Sequence, residues 1–220
     1  MEKTSLKDLL KRKNPYLYRA KNLVTAGELV SSLLEAKLSS SEEEIFGEFL
    51  EHLAIFVAEK VHRATKSSAA GIDFEYQTGK TRYLVSVKSG LNWGNSSQWG
   101  KLEDNFKTAM KRVKQNRQIG DVRCILGVSY GKDKTRIKKG FIMQVCGQRF
   151  WHMVSWQKDF YIQIVEPIGH KAKELNDSFK QKKAQLINKF TGEFISEFCS
   201  RNGQILWNKV IEFNSGNMDK

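Results

Sequence analysis

Asp73, Ser86 and Lys88 fall on two runs that alternate polar with β-branched or aromatic side chains. Residues 71–77 (Gly-Ile-Asp-Phe-Glu-Tyr-Gln) and 82–90 (Arg-Tyr-Leu-Val-Ser-Val-Lys-Ser-Gly) flank Thr78-Gly79-Lys80-Thr81, the pattern of a β-hairpin. A two-residue loop with Gly79 first suits a type II′ turn. That register pairs Ile72 with Val87, Phe74 with Val85 and Tyr76 with Tyr83 on one apolar face. On the other face it sets Asp73 against Ser86 and Gly71 against Lys88. A slip of one residue would oppose apolar and polar side chains, so the pattern selects this pairing. Asp73, Glu75, Ser86 and Lys88 are therefore expected within side-chain reach of one another. An acid and a lysine on paired strands can hold a divalent cation and poise a water.

The elements around this hairpin must position it. Upstream, Ser39-Ser40-Ser41 followed by Glu42-Glu43-Glu44 reads as a capped helix start, with acids in the first turn where the helix dipole favours them. That helix is expected to run to about Val61, burying Phe46, Phe49, Leu50, Leu53 and Val57, with Glu44, Glu48 and Glu51 on its other side. For Glu44 and Glu48 a solvated helix face is the preferred reading. A separate helix over residues 26–38 carries Leu29, Val30, Leu33 and Leu34. The basic arm before it is broken by Asn14-Pro15, and it reads equally as a phosphate-touching arm or a solvated tail.

Downstream, Asn92, Trp93, Asn95, Ser96, Ser97 and Gln98 form a loop of amides, hydroxyls and indoles directly after Lys88. Amides read adenine edges and hydroxyls bind phosphates, while Ser96 or Ser97 would also serve to start the next helix. Gly94 and Gly100-Lys101 miss the spacing of a phosphate-binding loop, and Leu102 replaces its hydroxyl, so a nucleotide cofactor is excluded. Residues 101–117 give an amphipathic helix, residues 121–130 a strand, and residues 141–146 its returning partner. The turn between those strands is basic and includes Lys134 and Arg136. A short helix (150–156), a strand (160–165), one or two helices (171–199, including Leu175) and an apolar tail (205–211) suited to packing, a second subunit among its candidate partners, complete the chain.

The chain of 220 residues carries 37 Lys and Arg against 24 Asp and Glu, a net charge of +13. That excess points to a polyanionic partner, nucleic acid before others. Cys124, Cys146 and Cys199 are isolated and odd in number, which excludes a disulfide framework or a zinc ribbon and fits a reducing cytoplasm. With neither a signal peptide nor a membrane-length apolar span, a cytoplasmic protein without a membrane partner is expected.

The order helix, hairpin, helix, strand, strand, helix, with Asp73, Ser86-Val87-Lys88, the exit Ser89-Gly90 and the helix segment Phe46-Gly47-Glu48-Phe49-Leu50-Glu51, resembles the PD-(D/E)xK nuclease superfamily, and within it the type II restriction endonucleases. Residues 13–22 are also similar to the PmeII-like group. The resemblance implies an α/β fold: a mixed central sheet flanked by helices, with a core at about residues 40–165 and helical additions at both ends of a single domain spanning 1–220. It departs from the pattern at Ile72, where proline is common, and at Ser86, where a second carboxylate is expected. A site of Asp73 and the Val87 carbonyl alone is under-charged for Mg²⁺. Some members of the superfamily resemble this chain in taking the missing carboxylate from a helix, which points to Glu51, with Glu48 as fallback and Glu75 third.

The resemblance then implies cleavage of double-stranded DNA by a homodimer with Mg²⁺, leaving 5′-phosphate and 3′-hydroxyl ends. Asp73, Glu51 and the Val87 carbonyl would hold the metal, Lys88 would act on water or phosphate, and Ser86 would complete the site. Asn92 to Gln98, Lys101, Lys134 and Arg136 would contact DNA. A repair or junction-resolving nuclease would share these catalytic residues. A non-catalytic DNA-binding protein would make Asp73–Lys88 a strand salt bridge, and an RNA-binding protein would stack bases on Trp93 and Trp99.

Overall fold

The computed structural model describes residues 4–217 and, within them, all side chains except those of residues 167–178, so Leu175 and the first residues of the basic arm lie outside the described set. The chain forms two compact units, Met1–Glu43 with Gly169–Lys220, and Glu44–Ile168. The fold is α/β: six strands, β1 (Thr65–Lys66), β2 (Phe74–Thr78), β3 (Thr81–Lys88), β4 (Asp121–Val128), β5 (Arg136–Lys138) and β6 (Ile142–Cys146), make one mixed sheet in the order β1-β2-β3-β4-β6-β5.

The hairpin forms in the expected register from Thr78–Thr81 to Phe74–Val85, and Gly79 alone takes positive φ (59°) in its loop, as a type II′ turn requires. The ladder then ends earlier than the alternation implies. The Asp73 amide donates to the Val85 carbonyl at 2.8 Å, one residue off the register that would face Ser86. Ile72 consequently packs on the opposite side of the sheet, with Leu84.

Helices cover both faces of the sheet. On one, Phe74, Tyr76, Val85, Val87, Ile125 and Val145 pack on Leu50, Ala54, Val57 and Ala58 of α3 (Ala26–His62) and on Phe150, Trp151 and Val154 of α5 (Gln148–Ser155). On the other, Leu84, Cys124, Leu126, Val128 and Ile142 pack on Leu102, Phe106 and Ala109 of α4 (Ser96–Val113). The strand alternation therefore serves two apolar faces.

Several readings are corrected. α3 is one helix of 37 residues, with no start at the serines. The hydroxyls of Ser40 and Ser41 donate back to the carbonyls of Ala36 and Lys37, which lets serine sit inside a helix. Its buried stripe uses Ala54 and Ala58, whose small side chains admit the sheet closely, whereas Phe46 and Phe49 are 46% and 42% exposed. β6 runs parallel to β4, because β5 intervenes as the antiparallel edge. Residues 160–163 are a short helix, α6 (Phe160–Gln163), since Phe160 and Ile164, four apart, are the pair that packs inward.

In the other unit the basic arm is folded as well. α1 (Leu6–Arg12) and α2 (Pro15–Ala20) form because Asn14 caps α2 and Pro15 takes its first position, where proline needs no N–H. Their Leu6, Leu9, Leu10 and Tyr18 join Leu29, Val30, Leu33 and Leu34 of α3, Phe190, Phe194 and Phe198 of α7 (Val165–Phe198), and Val210 of α8 (Trp207–Ser215). The apolar tail thus packs within its own chain. The three cysteines are free. Among the described residues no helix is long and apolar enough to cross a membrane.

Candidate nuclease site

The three parallel strands β3, β4 and β6 end at one edge of the sheet, and the candidate residues collect there. Lys88 is the last residue of β3, paired with Val128 of β4. The chain leaves through Ser89 and Gly90, and a Cβ on Gly90 would meet the Tyr130 ring at 2.7 Å, so this exit admits only glycine without a shift of the ring. α3 approaches from above. A Cβ on Gly47 would lie 3.5 Å from the Ser89 Cβ, and Glu51 is one turn on, on the same helix face. Glu48 is exposed and does not share that face.

Asp73 is fixed where the hairpin ladder ends. Its carboxylate Oδ2 accepts from the Val87 amide at 2.5 Å and from the Ser86 hydroxyl at 3.3 Å, while Oδ1 has no hydrogen-bond partner among the described residues. Ser86 is fully buried, so in place of a carboxylate it supplies a hydroxyl that orients Asp73. The N–H and C=O of one residue in an extended strand leave on the same side. The Val87 carbonyl therefore points, like its amide, toward Asp73, beyond the last β2–β3 pair.

Electrostatics tie these residues to Glu51. Burial raises the Asp73 carboxyl above its ordinary pKa, against the Val87 amide, Lys88, the Ser86 hydroxyl and Lys66, which pull it down. Glu51 is raised by burial and next by the negative charge of Asp73, with Lys88, His52 and Lys66 opposing. Two partly desolvated carboxylates thus repel each other across one site. The nearby cations lower the repulsion without abolishing it. Among the described residues no three His, Cys, Asp or Glu side chains gather in a metal-binding group. The donor set is two carboxylates and a carbonyl, all hard oxygen, which suits a Mg²⁺-like ion that keeps several waters and does not suit zinc.

Lys66, on β1 beside Phe74, is a member of this site that the hairpin pattern does not disclose. A two-residue strand carries no periodicity, so no signal in the sequence marks it. Glu75 departs from expectation in the opposite sense. It is 7% exposed and bound by Arg82, whose Nη2 lies 3.0 Å away, with Arg112 at 4.0 Å. The cross-strand guanidinium takes its charge, so Glu75 does not join Asp73 and Lys88.

The loop after Lys88 lies against the site, with the Lys88 ammonium 5.7 Å from the centre of the Trp93 ring, which in turn packs on Trp99. Asn95, not a serine, caps α4. Its side chain accepts from the Gln98 amide at 3.1 Å, and Gln98 Oε1 accepts from the Asn95 amide at 2.9 Å, a reciprocal capping box. The side-chain NH₂ groups of both stay outside that box, and Asn92, Asn95, Ser96, Ser97, Gln98 and Lys101 are exposed. Lys134 and Arg136 line a cleft of about 1320 Å³ beyond the ends of β4 and β6, where Arg136 pairs with Asp133 at 2.8 Å.

Compared with known proteins, residues 1–176 match the family model of the type II restriction endonuclease EcoO109I. No curated protein matches the chain.

Proposed function

The chain belongs to the EcoO109I family of type II restriction endonucleases, site-specific deoxyribonucleases that act on double-stranded DNA, and we propose that Asp73, Glu51 and Lys88 carry that activity here, with Mg²⁺. The observation that supports this most is the pair of mutually repelling, partly buried carboxylates beside Lys88 at the ends of the parallel strands. Such a pair is costly unless a cation comes to it. Asp73 Oδ1, the Glu51 carboxylate and the Val87 carbonyl would hold Mg²⁺. When bound, the ion supplies Lewis-acid polarisation of the phosphate and a water acidic enough to attack it near neutral pH.

The chain's own groups supply the rest. Ser86 and the Val87 amide hold Asp73 in one rotamer, so the site is set before DNA arrives. Lys88, its ammonium 5.7 Å from the centre of the Trp93 ring, would meet the charge that builds on the phosphate oxygens. Lys66 adds a second positive charge near Asp73 and Glu51. The expected products are a 5′-phosphate and a 3′-hydroxyl. Cutting both strands of a near-palindromic site asks for two such sites related by a two-fold axis, hence a homodimer. The loop 92–98, Lys101, Lys134 and Arg136 would contact the duplex, and a cytoplasmic location suits the substrate.

Incubating plasmid and genomic DNA with the purified protein and Mg²⁺ tests this reading. Discrete bands with 5′-phosphate ends, lost in EDTA, are expected. Structure-dependent nicking would make it a junction-resolving or repair enzyme, and intact DNA across many substrates would leave a binding protein.

A further inference from the structure

Beside this site, the cleft beyond β4 and β6 contains groups that the hydrolytic reading leaves unused. Ser129 is the first residue past β4. It is 4% exposed, and its hydroxyl has no hydrogen-bond partner among the described residues, although an unpaired buried hydroxyl costs stability. Its backbone is fully committed: the amide donates to the Lys88 carbonyl at 2.8 Å, and its own carbonyl accepts from the Trp151 indole at 2.9 Å. Only the hydroxyl is left over, on a residue that lines the cleft.

The start of α5 lines the same cleft. Gly147 gives that helix no side-chain cap, and no hydrogen bond from its first-turn amides is made among the described residues. Gly147 precedes it at positive φ (54°), where a Cβ would lie 2.8 Å from the Gly131 carbonyl. Glycine is needed there because two loops close on each other. Gln148 and Arg149 then line the cleft, and Arg149 is steadied by a bond from its Nη1 to the Thr135 hydroxyl at 3.2 Å. Lys132, Lys134 and Arg136 stand on the same cleft with one carboxylate, Asp133, already paired to Arg136.

A leftover hydroxyl, a helix N-terminus and guanidinium and ammonium groups are all donors. They ask for a tetrahedral anion with several acceptor oxygens. We propose that this cleft binds a backbone phosphate of the DNA strand that flanks the scissile phosphate, through the Ser129 hydroxyl, the first amides of α5 and Arg149. The identity of the ligand rests on the nuclease reading above; the site itself does not. Ser129 follows Val128, the ladder partner of Lys88, so the backbones that carry the two groups lie on adjacent strands, about 4.8 Å apart. The cleft is far larger than one phosphate, which leaves room for the attached sugars.

The test measures binding of the full-length protein to a random-sequence DNA duplex in EDTA at several salt concentrations, together with melting temperature. Arg149→Ala is expected to weaken binding about tenfold and to lower the log–log salt slope by about 1. Ser129→Ala is expected to weaken binding a few-fold with the slope unchanged, while its Tm rises by about 2–4 °C because the unpaired hydroxyl is gone. Unchanged affinity in both variants overturns the proposal, and so does a lowered Tm in Ser129→Ala, which would make the hydroxyl structural. Plasmid cleavage by the wild type separates this from the nuclease reading. Variants that lose affinity in a protein that never cuts support the phosphate site alone; variants that bind normally in a protein that cuts remove it alone.

Discussion

Asp73 and Glu75 lie two residues apart at the start of one strand, and their surroundings are opposite. Glu75 has Arg82 across the hairpin and Arg112 from α4, so its charge is met at contact distance. Asp73 has hydrogen bonds from a neutral hydroxyl and an amide, cations only at longer range, and a second carboxylate, Glu51, facing it. Two carboxylates on one strand therefore do different work. The neutralised one holds the sheet together. The one left short of positive charge is the one proposed above to take a cation. What separates them is a single backbone event, the loss of ladder register at Asp73, which turns its carboxylate onto the Val87 amide.

Breaking the comparison at its functional side has the largest expected effect. Asp73→Ala and Lys88→Ala should each reduce DNA cleavage in Mg²⁺ by about 100-fold or more, with Lys88→Ala still binding DNA. Retention of near wild-type cutting by either would put the site elsewhere. On the structural side, Glu75→Ala leaves Arg82 without its partner in a mostly buried setting and should cost about 2 kcal/mol, lowering Tm by about 4–8 °C. Cleavage by the folded fraction should persist. A Glu75→Ala variant that is stable and inactive would reverse the two roles.

The pH dependence sharpens the same contrast. Asp73 and Glu51 are raised in the folded protein, so above the unfolded carboxylate pKa of about 4 and up to the raised values the native state holds more protons than the unfolded one. Their contribution to stability is therefore largest at the acid end of that window and is lost as pH rises through it. Melting curves in EDTA should show Asp73→Asn gaining Tm over wild type at neutral pH and losing that advantage toward pH 4. A wild type stabilised by rising pH in a way that depends on Asp73 would contradict the raised value. The smallest effect belongs to the neighbouring loop. Asn95→Ala removes the α4 cap, at about 1 kcal/mol, so Tm should fall by about 2–4 °C. If its NH₂ group also reads a base, affinity for the cognate site falls by a further 1–3 kcal/mol, roughly, with random DNA unaffected.

The hairpin, its turn and the pairing of Phe74 with Val85 were legible because period-two alternation and a glycine loop fix them locally. The Gly47 spacing singled out Glu51 over Glu48, and the structure leaves Glu48 exposed and sets the Glu51 charge against that of Asp73. Ile72 was misplaced because strand periodicity carries no mark of where a ladder stops, and Glu75 because alternation does not show that Arg82 across the hairpin takes its charge. The α3 serines read as a cap because capping and back-bonding use the same side chain. Phe46 and Phe49 read as core because an aromatic at helical spacing hides the fact that alanines make the closer contact with a sheet. The parallel sense of β6 depends on β5, three residues with no pattern of their own. Lys66 was out of reach for the same reason.

The central claim is that a helix glutamate, Glu51, completes the site that Ser86 leaves a carboxylate short. Cleavage of one DNA substrate in Mg²⁺ by Glu51→Gln, Glu48→Gln and Glu75→Gln, each checked for a cooperative melting transition, tests it most directly. Loss of cutting by about 100-fold or more in Glu51→Gln alone is the predicted result. A Glu51→Gln enzyme that cuts like the wild type, or a folded Glu48→Gln or Glu75→Gln enzyme that does not cut, would contradict it.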